Sequence, residues 1–287
     1  MANLNDYTVL IYQSNEAREY EVKGIETFLG ARVDGILVSV AKDTTDHSHF
    51  LEIPRRGIPL VFFDRASSAS GIPSVVIDDH KGAYLATEHL ITQGYRRIAH
   101  IAGQQHLAIF ADRLKGYSDA LAAYGLPLRP QLIYAGDVSI GSGRAAIRQF
   151  LHLAEPPDAV FAVEDFTALG AIKELKEQGI AIPEQFGVIG FANELFGEHI
   201  SPGLSTIDQQ TVLMGKESFR LLLEMIAKKA VERSTKAPEQ KKSSGRETLA
   251  AAPEKEGESG PGHGNHTIVL EPVPVYRDSS MRKKFLV

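Results

Sequence analysis

Short apolar runs alternate with helix-patterned segments along the whole chain, and this alternation constrains the fold more than any other feature. Residues 7–12 (YTVLIY), 33–40 (VDGILVSV), 59–64, 98–101, 132–135, 159–163 and 267–270 read as strands. Between them, residues 16–29, 81–93, 111–124, 143–153, 167–178 and 210–229 carry helical patterns, with Tyr20, Ile25 and Phe28 as core contacts of the first. Gly94, Gly125 and Gly179 stand where helices should stop. Repeated β–α units of this kind predict an α/β fold with parallel sheets and helices on both faces.

Bulk properties narrow the function. A chain of 287 residues suits two lobes or one large domain. Its net charge of −5 does not attract DNA or acidic lipid, and a nucleic-acid-binding domain is usually basic. Without cysteine there is neither a disulfide nor thiolate chemistry. No apolar run approaches the roughly 20 residues that span a bilayer, and the first residues lack signal-peptide character. A soluble cytoplasmic protein is expected.

In an open α/β sheet, ligands meet the chain just past the carboxyl ends of strands. Residues 188–194 (VIGFANE) form such a place: an apolar strand stops at Gly190 and opens into Asn193 and Glu194. A Pro-Gly turn at Pro202 and Gly203 then runs into a short β-branched strand and the glutamines Gln209 and Gln210. Catalytic and cofactor motifs are missing. No zinc-type histidine spacing, phosphate-binding loop or Gly-x-Ser-x-Gly elbow occurs. Asp78, Asp79 and His80 invite a metal reading, but adjacent strand residues point to opposite faces. A crossover followed by a helix cap is preferred there, and no metal or cofactor is expected.

The two phrases 188–194 and 201–209 resemble the effector-binding domain of the lactose-repressor (LacI/GalR) family of bacterial transcription regulators. Further segments follow the family pattern in order: 61–65 (VFFDR), 76–79 (VIDD) through Gly82, and 94–103 (GYRRIAHIAG). Then come 111–117 (ADRLKGY), 160–165 (VFAVED) with 168–170 (ALG), and 268–272 (IVLEP). The resemblance implies two Rossmann-like lobes of the periplasmic-binding-protein-like type I fold. On that frame the N-terminal lobe holds residues 1–77 plus 208–229 and the C-terminal lobe 78–207 plus 267–280. Residues 230–266, rich in Lys, Glu, Ser, Pro and Gly, read as a disordered insert, and 281–287 as a tail. The family's domain begins with a strand and a helix before the strand matching 7–12, and a helix-turn-helix headpiece normally comes first. Neither pattern is found in this chain.

The resemblance implies sensing of a small effector, a sugar, by a cytoplasmic homodimer that reaches DNA only through a headpiece outside this chain. The alternatives are a stand-alone sugar-binding protein of the periplasmic transport type, or an α/β enzyme acting on a sugar or nucleotide. Asp64, at a strand's carboxyl end, is a candidate to accept sugar hydroxyls; a turn or helix-dipole role competes. Arg113 offers a planar fork to vicinal hydroxyls or a carboxylate, against an ion pair with Asp112 or Asp119. Glu164 stands where the family often has Asn. Asp165 either contacts ligand or caps the next helix. Ala192 replaces a frequent ligand-binding Asp, so Asn193 either takes part of that role or only shapes its turn. Gln209 lies at an expected lobe crossover. Ile77, Phe110 and Phe191 are apolar faces for a sugar ring, or plain core.

Overall fold

Most of the apolar runs become strands of parallel sheets. The structure, a computed structural model, describes residues 2–66, 71–236 and 266–282. The chain divides into two units, Met1–Val75 with Gly215–Ile268, and Val76–Met214 with Val269–Val287.

The first unit contains α1 (Arg18–Ala31), β1 (Ile36–Val38), α2 (Ser48–Arg55) and β2 (Leu60–Phe63), and its sheet continues through β3 (Ser74–Ile77). Most of α7 (Thr211–Lys236) and the start of β9 (Thr267–Leu270) also belong to it. Strand order is β1-β2-β3-β9, with β1, β2 and β3 parallel. Its core gathers Ile25, Ile36, Phe50, Ile53, Leu60 and Phe62. Phe50 meets Phe62 edge to face at 5.0 Å, a favoured aromatic geometry. Helix α2 was not read in the sequence; Phe50 and Ile53, three residues apart, give it one buried side. Tyr20, expected in the core, is 42% exposed because its turn of α1 faces solvent.

Residues 7–12 are not a strand. A strand exists through a neighbouring strand that takes its backbone hydrogen bonds, and among the described residues this segment pairs with no strand, Tyr7 N–H bonding the Ala2 carbonyl of the preceding turn instead. Strand β1 is the sheet edge. Ile36 N–H donates to Pro59 and Val40 N–H to Arg65, so the alternate residues Leu37 and Ser39 turn their backbone groups to the open edge. Val9, Leu10 and Ile11 are exposed, Ile11 by 90%. Only the tyrosines are anchored, Tyr7 on Phe219 and Tyr12 on Phe28.

The expected insert begins too early. Residues 230–236 continue α7 to Lys236, where Ser234 and Thr235 hydroxyls bond back to the carbonyls of Ala230 and Val231. Residues 237–265 and 283–287, the rest of that insert and most of the expected tail, lie outside the described residues.

The second unit holds α3 (Asp79–Thr92), β4 (Ile98–Ala102), α4 (Ala108–Ala123), β5 (Ile133–Ala135) and α5 (Ile140–Leu151). It continues with β6 (Ala159–Ala162), α6 (Asp165–Glu177) and β7 (Gly187–Ile189). A parallel sheet of order β5-β4-β6-β7 forms its centre. Beside it β8 (Thr206–Asp208) pairs antiparallel with β10 (Val273–Val275). Helices α5 and α6 approach until a Cβ on Gly143 would lie 2.0 Å from the Thr167 carbonyl, and one on Gly170 2.1 Å from that of Ile140. Gly94, Gly125 and Gly179 do follow helix ends with positive φ, as expected. Asp78 caps α3 by accepting Lys81 N–H at 2.8 Å. Among the described residues no helix is long and apolar enough to cross a membrane.

Candidate functional site

In the second unit, loops leaving the carboxyl ends of β4, β6, β7 and β8 carry most of the expected site residues. Arg113 is their centre. It sits in the second turn of α4 and is 2% exposed. Its Nε donates to Asp79 Oδ1 at 2.7 Å and its Nη1 to the Val163 carbonyl at 2.6 Å. The guanidinium carbon lies 3.7 Å from the Phe191 ring centroid and 5.8 Å from that of Phe110. The ion pair weighed in the sequence, with Asp112 or Asp119, is therefore replaced by a buried one to Asp79. Asp119 instead takes His80 and Lys115, each at 2.8 Å.

Such a cation needs its compensation, since an unpaired buried charge is very costly. Asp79, the Val163 carbonyl and the Phe191 face supply it and fix the guanidinium plane. Two donor positions are thereby committed, and Nη2 is the remaining corner of the fork. Phe110 and Phe191 are buried, as is Ile77 at the end of β3. They act as core, and Phe191 also as a platform.

The β6–α6 junction separates its two acids by role. Glu164, with extended backbone (φ −159°), is the helix cap, its carboxylate accepting Phe166 N–H at 2.8 Å. Asp165 is the first helical residue, so of the two roles open to it in the sequence the capping one is not taken. Its side chain is fully buried, and its oxygens accept the Thr206 hydroxyl at 2.7 Å and Glu194 N–H at 2.8 Å. Burial pushes the Glu164 carboxyl up to about 7 and the Asp165 carboxyl up to about 6.

Asn193 shapes its turn. With φ +59°, it donates through Nδ2 to Asp208 Oδ2 and accepts the Arg277 guanidinium on Oδ1, both at 3.0 Å. Arg277 also bonds the Leu204 carbonyl at 2.7 Å. Gln209 is partly buried just after β8.

Asp64 belongs to the first unit. It follows β2 with φ +58°, accepts Ser39 Oγ at 3.3 Å and has Arg65 Nε at 4.0 Å. The sequence reading missed Asp79 as the partner of Arg113 and Arg277 as the partner of Asn193. Arg277 lies 84 residues from Asn193, and no local pattern announces such a contact.

Among the described residues, no three His, Cys, Asp or Glu side chains gather as a possible metal-binding set. The second unit offers a guanidinium braced by Asp79, the Val163 carbonyl and Phe191, beside a Glu164 carboxyl raised by burial. This chemistry suits hydrogen bonding to a hydroxylated ligand.

Comparison with known proteins gives a consistent result. Residues 87–248 match the periplasmic binding protein-like domain family. The HTH-type transcriptional repressor CytR of Escherichia coli (strain K12) is 34% identical over 77% of this chain and 64% of its own length. This chain thus spans less than two thirds of that relative. The catabolite control protein A of Priestia megaterium is 31% identical, over 82% of this chain and 70% of that protein. Among solved structures, a transcriptional regulator CelR–cellobiose complex superposes with a TM-score of 0.72 and 30% identity. That match covers 90% of this chain and 70% of the other.

Proposed function

The chain belongs to the lactose-repressor (LacI/GalR) family, and we propose that it is the effector-binding and dimerising part of a cytoplasmic transcription regulator, without enzymatic activity. The effector is a neutral sugar. Arg113 carries this reading: a guanidinium braced on three sides at the carboxyl end of a parallel sheet is preorganised to donate to vicinal hydroxyls. Glu164 adds a carboxyl that, near neutral pH, can both donate and accept. The cellobiose held by the CelR relative agrees with this ligand class. Anionic sugars are disfavoured, because the β6–α6 junction and the turn after β7 place Glu164, Asp165 and Glu194 in one neighbourhood. Asp64 and Gln209 complete the proposed contacts, with Asn193 at the edge.

Two lobes that bind the effector better in one arrangement than another would convert binding into altered DNA affinity of an attached headpiece. The proposed lobes follow the division read from the sequence, with crossovers near residues 77, 208 and 267. For dimerisation, exposed Ile140, Phe166 and Leu195 in the second unit supply an apolar surface, with Phe166 lying 4.9 Å from the Phe196 ring.

Calorimetric titration of a neutral sugar panel, cellobiose included, tests the reading. Arg113→Lys keeps the charge but loses the fork, and Asp64→Ala removes an acceptor; each should weaken the best sugar at least tenfold. Unchanged affinity in both variants refutes the site. A strictly monomeric chain in light scattering refutes the dimer.

A further inference from the structure

The turn at residues 190–194 is strained and must be held. Ala192 has φ +132°, in a region that side-chain-bearing residues avoid, and Asn193 beside it has φ +59°, which asparagine tolerates. Four backbone donors pin it. Gly190 N–H reaches the Ser205 carbonyl at 2.9 Å and Ala192 N–H the Ile207 carbonyl at 2.8 Å. Asn193 N–H reaches Thr206 Oγ1 at 3.2 Å and Glu194 N–H reaches Asp165 Oδ2 at 2.8 Å. Asp165 serves two of these four donors, Glu194 directly and Asn193 through Thr206. Its Oδ1 accepts the Thr206 hydroxyl, which in turn accepts from Asn193, and its own N–H donates to the Phe191 carbonyl at 3.0 Å. A Cβ on Gly190 would lie 2.1 Å from Asp165 Oδ1, so the carboxylate fits because that residue is glycine. Fully buried, with both oxygens engaged, it has no surface to offer a ligand.

Phe191 is what the turn presents to the site, its ring under the Arg113 guanidinium. We propose that Asp165 is a positioning residue of the effector site: it holds the 190–194 turn so that Phe191 braces Arg113, and it touches no effector. The inference rests on the reading of Arg113 as an effector contact. Its chemistry is specific. The charged groups facing Asp165 are Glu164 and Glu194. Burial holds its carboxyl near 6, so acidification adds a proton that it must donate. Thr206 Oγ1 is the partner able to accept that hydrogen bond, and its own hydroxyl, which donates to Asp165 Oδ1 in the ionised state, must then turn to another acceptor.

Hydrogen exchange of the full chain at pH 7.5 and 5, corrected for intrinsic rates, tests this in Asp165→Ala, Asp165→Asn and Thr206→Val. The Arg113 Nε–H resonance reports the bracing without any effector. Expected is at least tenfold faster exchange across residues 190–198 in Asp165→Ala and Thr206→Val, with β4 and β6 still protected and Arg113 Nε–H exchange accelerated. Asp165→Asn, which keeps one acceptor oxygen, should recover most of the protection. It should also lose the pH dependence that the unaltered chain shows across pH 6. Protection like that of the unaltered chain in Thr206→Val, a pH-independent turn in the unaltered chain, or a loosened turn with an unmoved Arg113 overturns the proposal. If Asp165→Ala does not fold, Thr206→Val and the pH profile decide. A loosened turn and freed Arg113 in a chain that binds no sugar of the panel, cellobiose included, support the positioning role and refute the effector reading alone.

Discussion

Removing Asp79 should be among the most damaging single changes in the second unit. Asp79 and Arg113 are 5% and 2% exposed and meet at 2.7 Å. Neither charge has water to fall back on. Taking away one partner of a buried pair costs about 3–5 kcal/mol, because the remaining charge stays buried without its counter-ion. The Val163 carbonyl and the Phe191 face soften that loss, which places Asp79→Ala toward the lower end. Replacing both partners by apolar residues, Asp79→Leu with Arg113→Met, should cost about 1 kcal/mol or less, since packing replaces two desolvated ions. The double change is then less harmful than the single one. Urea unfolding followed by circular dichroism measures this, with a lower midpoint at unchanged slope as the sign of lost stability. A loss below about 1 kcal/mol for Asp79→Ala, or a double variant as unstable as the sum of the singles, refutes the view of Asp79 as obligatory counter-ion.

Three further outcomes follow from the same geometry. Gly170→Ala should destabilise by about 2–3 kcal/mol, because its Cβ would sit 2.1 Å from the Ile140 carbonyl; a thermal midpoint equal to that of the unaltered chain contradicts the close α5–α6 approach. Val9→Lys with Ile11→Lys should change stability by less than about 0.5 kcal/mol yet reduce self-association in light scattering, since both are exposed apolar side chains. The third concerns pH. Glu164 and Asp165 have raised carboxyls, so the folded chain binds their protons more readily than the unfolded one and their contribution to stability grows as pH falls through 7 and 6. His89 and His100, lowered to about 4 by burial, act oppositely, their contribution being lost as pH falls through 6.5. Between pH 8 and 6.5 the gain from Glu164, just under about 1 kcal/mol, is largely offset by the two histidines, so the stability of the unaltered chain should stay level to within about 0.5 kcal/mol. Glu164→Gln removes that offset and should show a urea midpoint that falls from pH 8 to 6.5, and a midpoint as level as that of the unaltered chain contradicts it.

The sequence made the fold legible where a segment's own pattern settles its state. Strands β2 and β6 are continuous apolar runs and β4 is one interrupted only by His100, buried on both faces as parallel strands are. Helices α3, α4 and α6 end at glycines whose positive φ the sequence announces. Legibility failed where the deciding partner is elsewhere. Residues 7–12 have a strand's composition, but composition does not say whether an edge is near enough to pair with. Helix α2 is eight residues long with Pro54 inside it, too short for a periodic signal.

The same rule sorts the site. Positions at strand ends and helix starts, such as Asp64, Arg113 and Glu164, were proposed from their place in a linear pattern and from the family resemblance. Their electrostatics were not, because a buried charge is defined by what compensates it. Arg113 and Asp79 are 34 residues apart, and Asp165 and Thr206 are 41 apart. Two adjacent acids, Glu164 and Asp165, look interchangeable in the sequence, yet the point where extended backbone becomes helix makes the first a cap and the second an internal clamp. Ala192 illustrates the converse. It offers no side-chain hydrogen bond, and the neighbouring Asn193 amide is drawn inward to Asp208 and Arg277. On the proposed reading, polar recognition in this unit falls to Arg113 and Glu164, and the pH response of Glu164 should be imprinted on whatever sugar Arg113 holds.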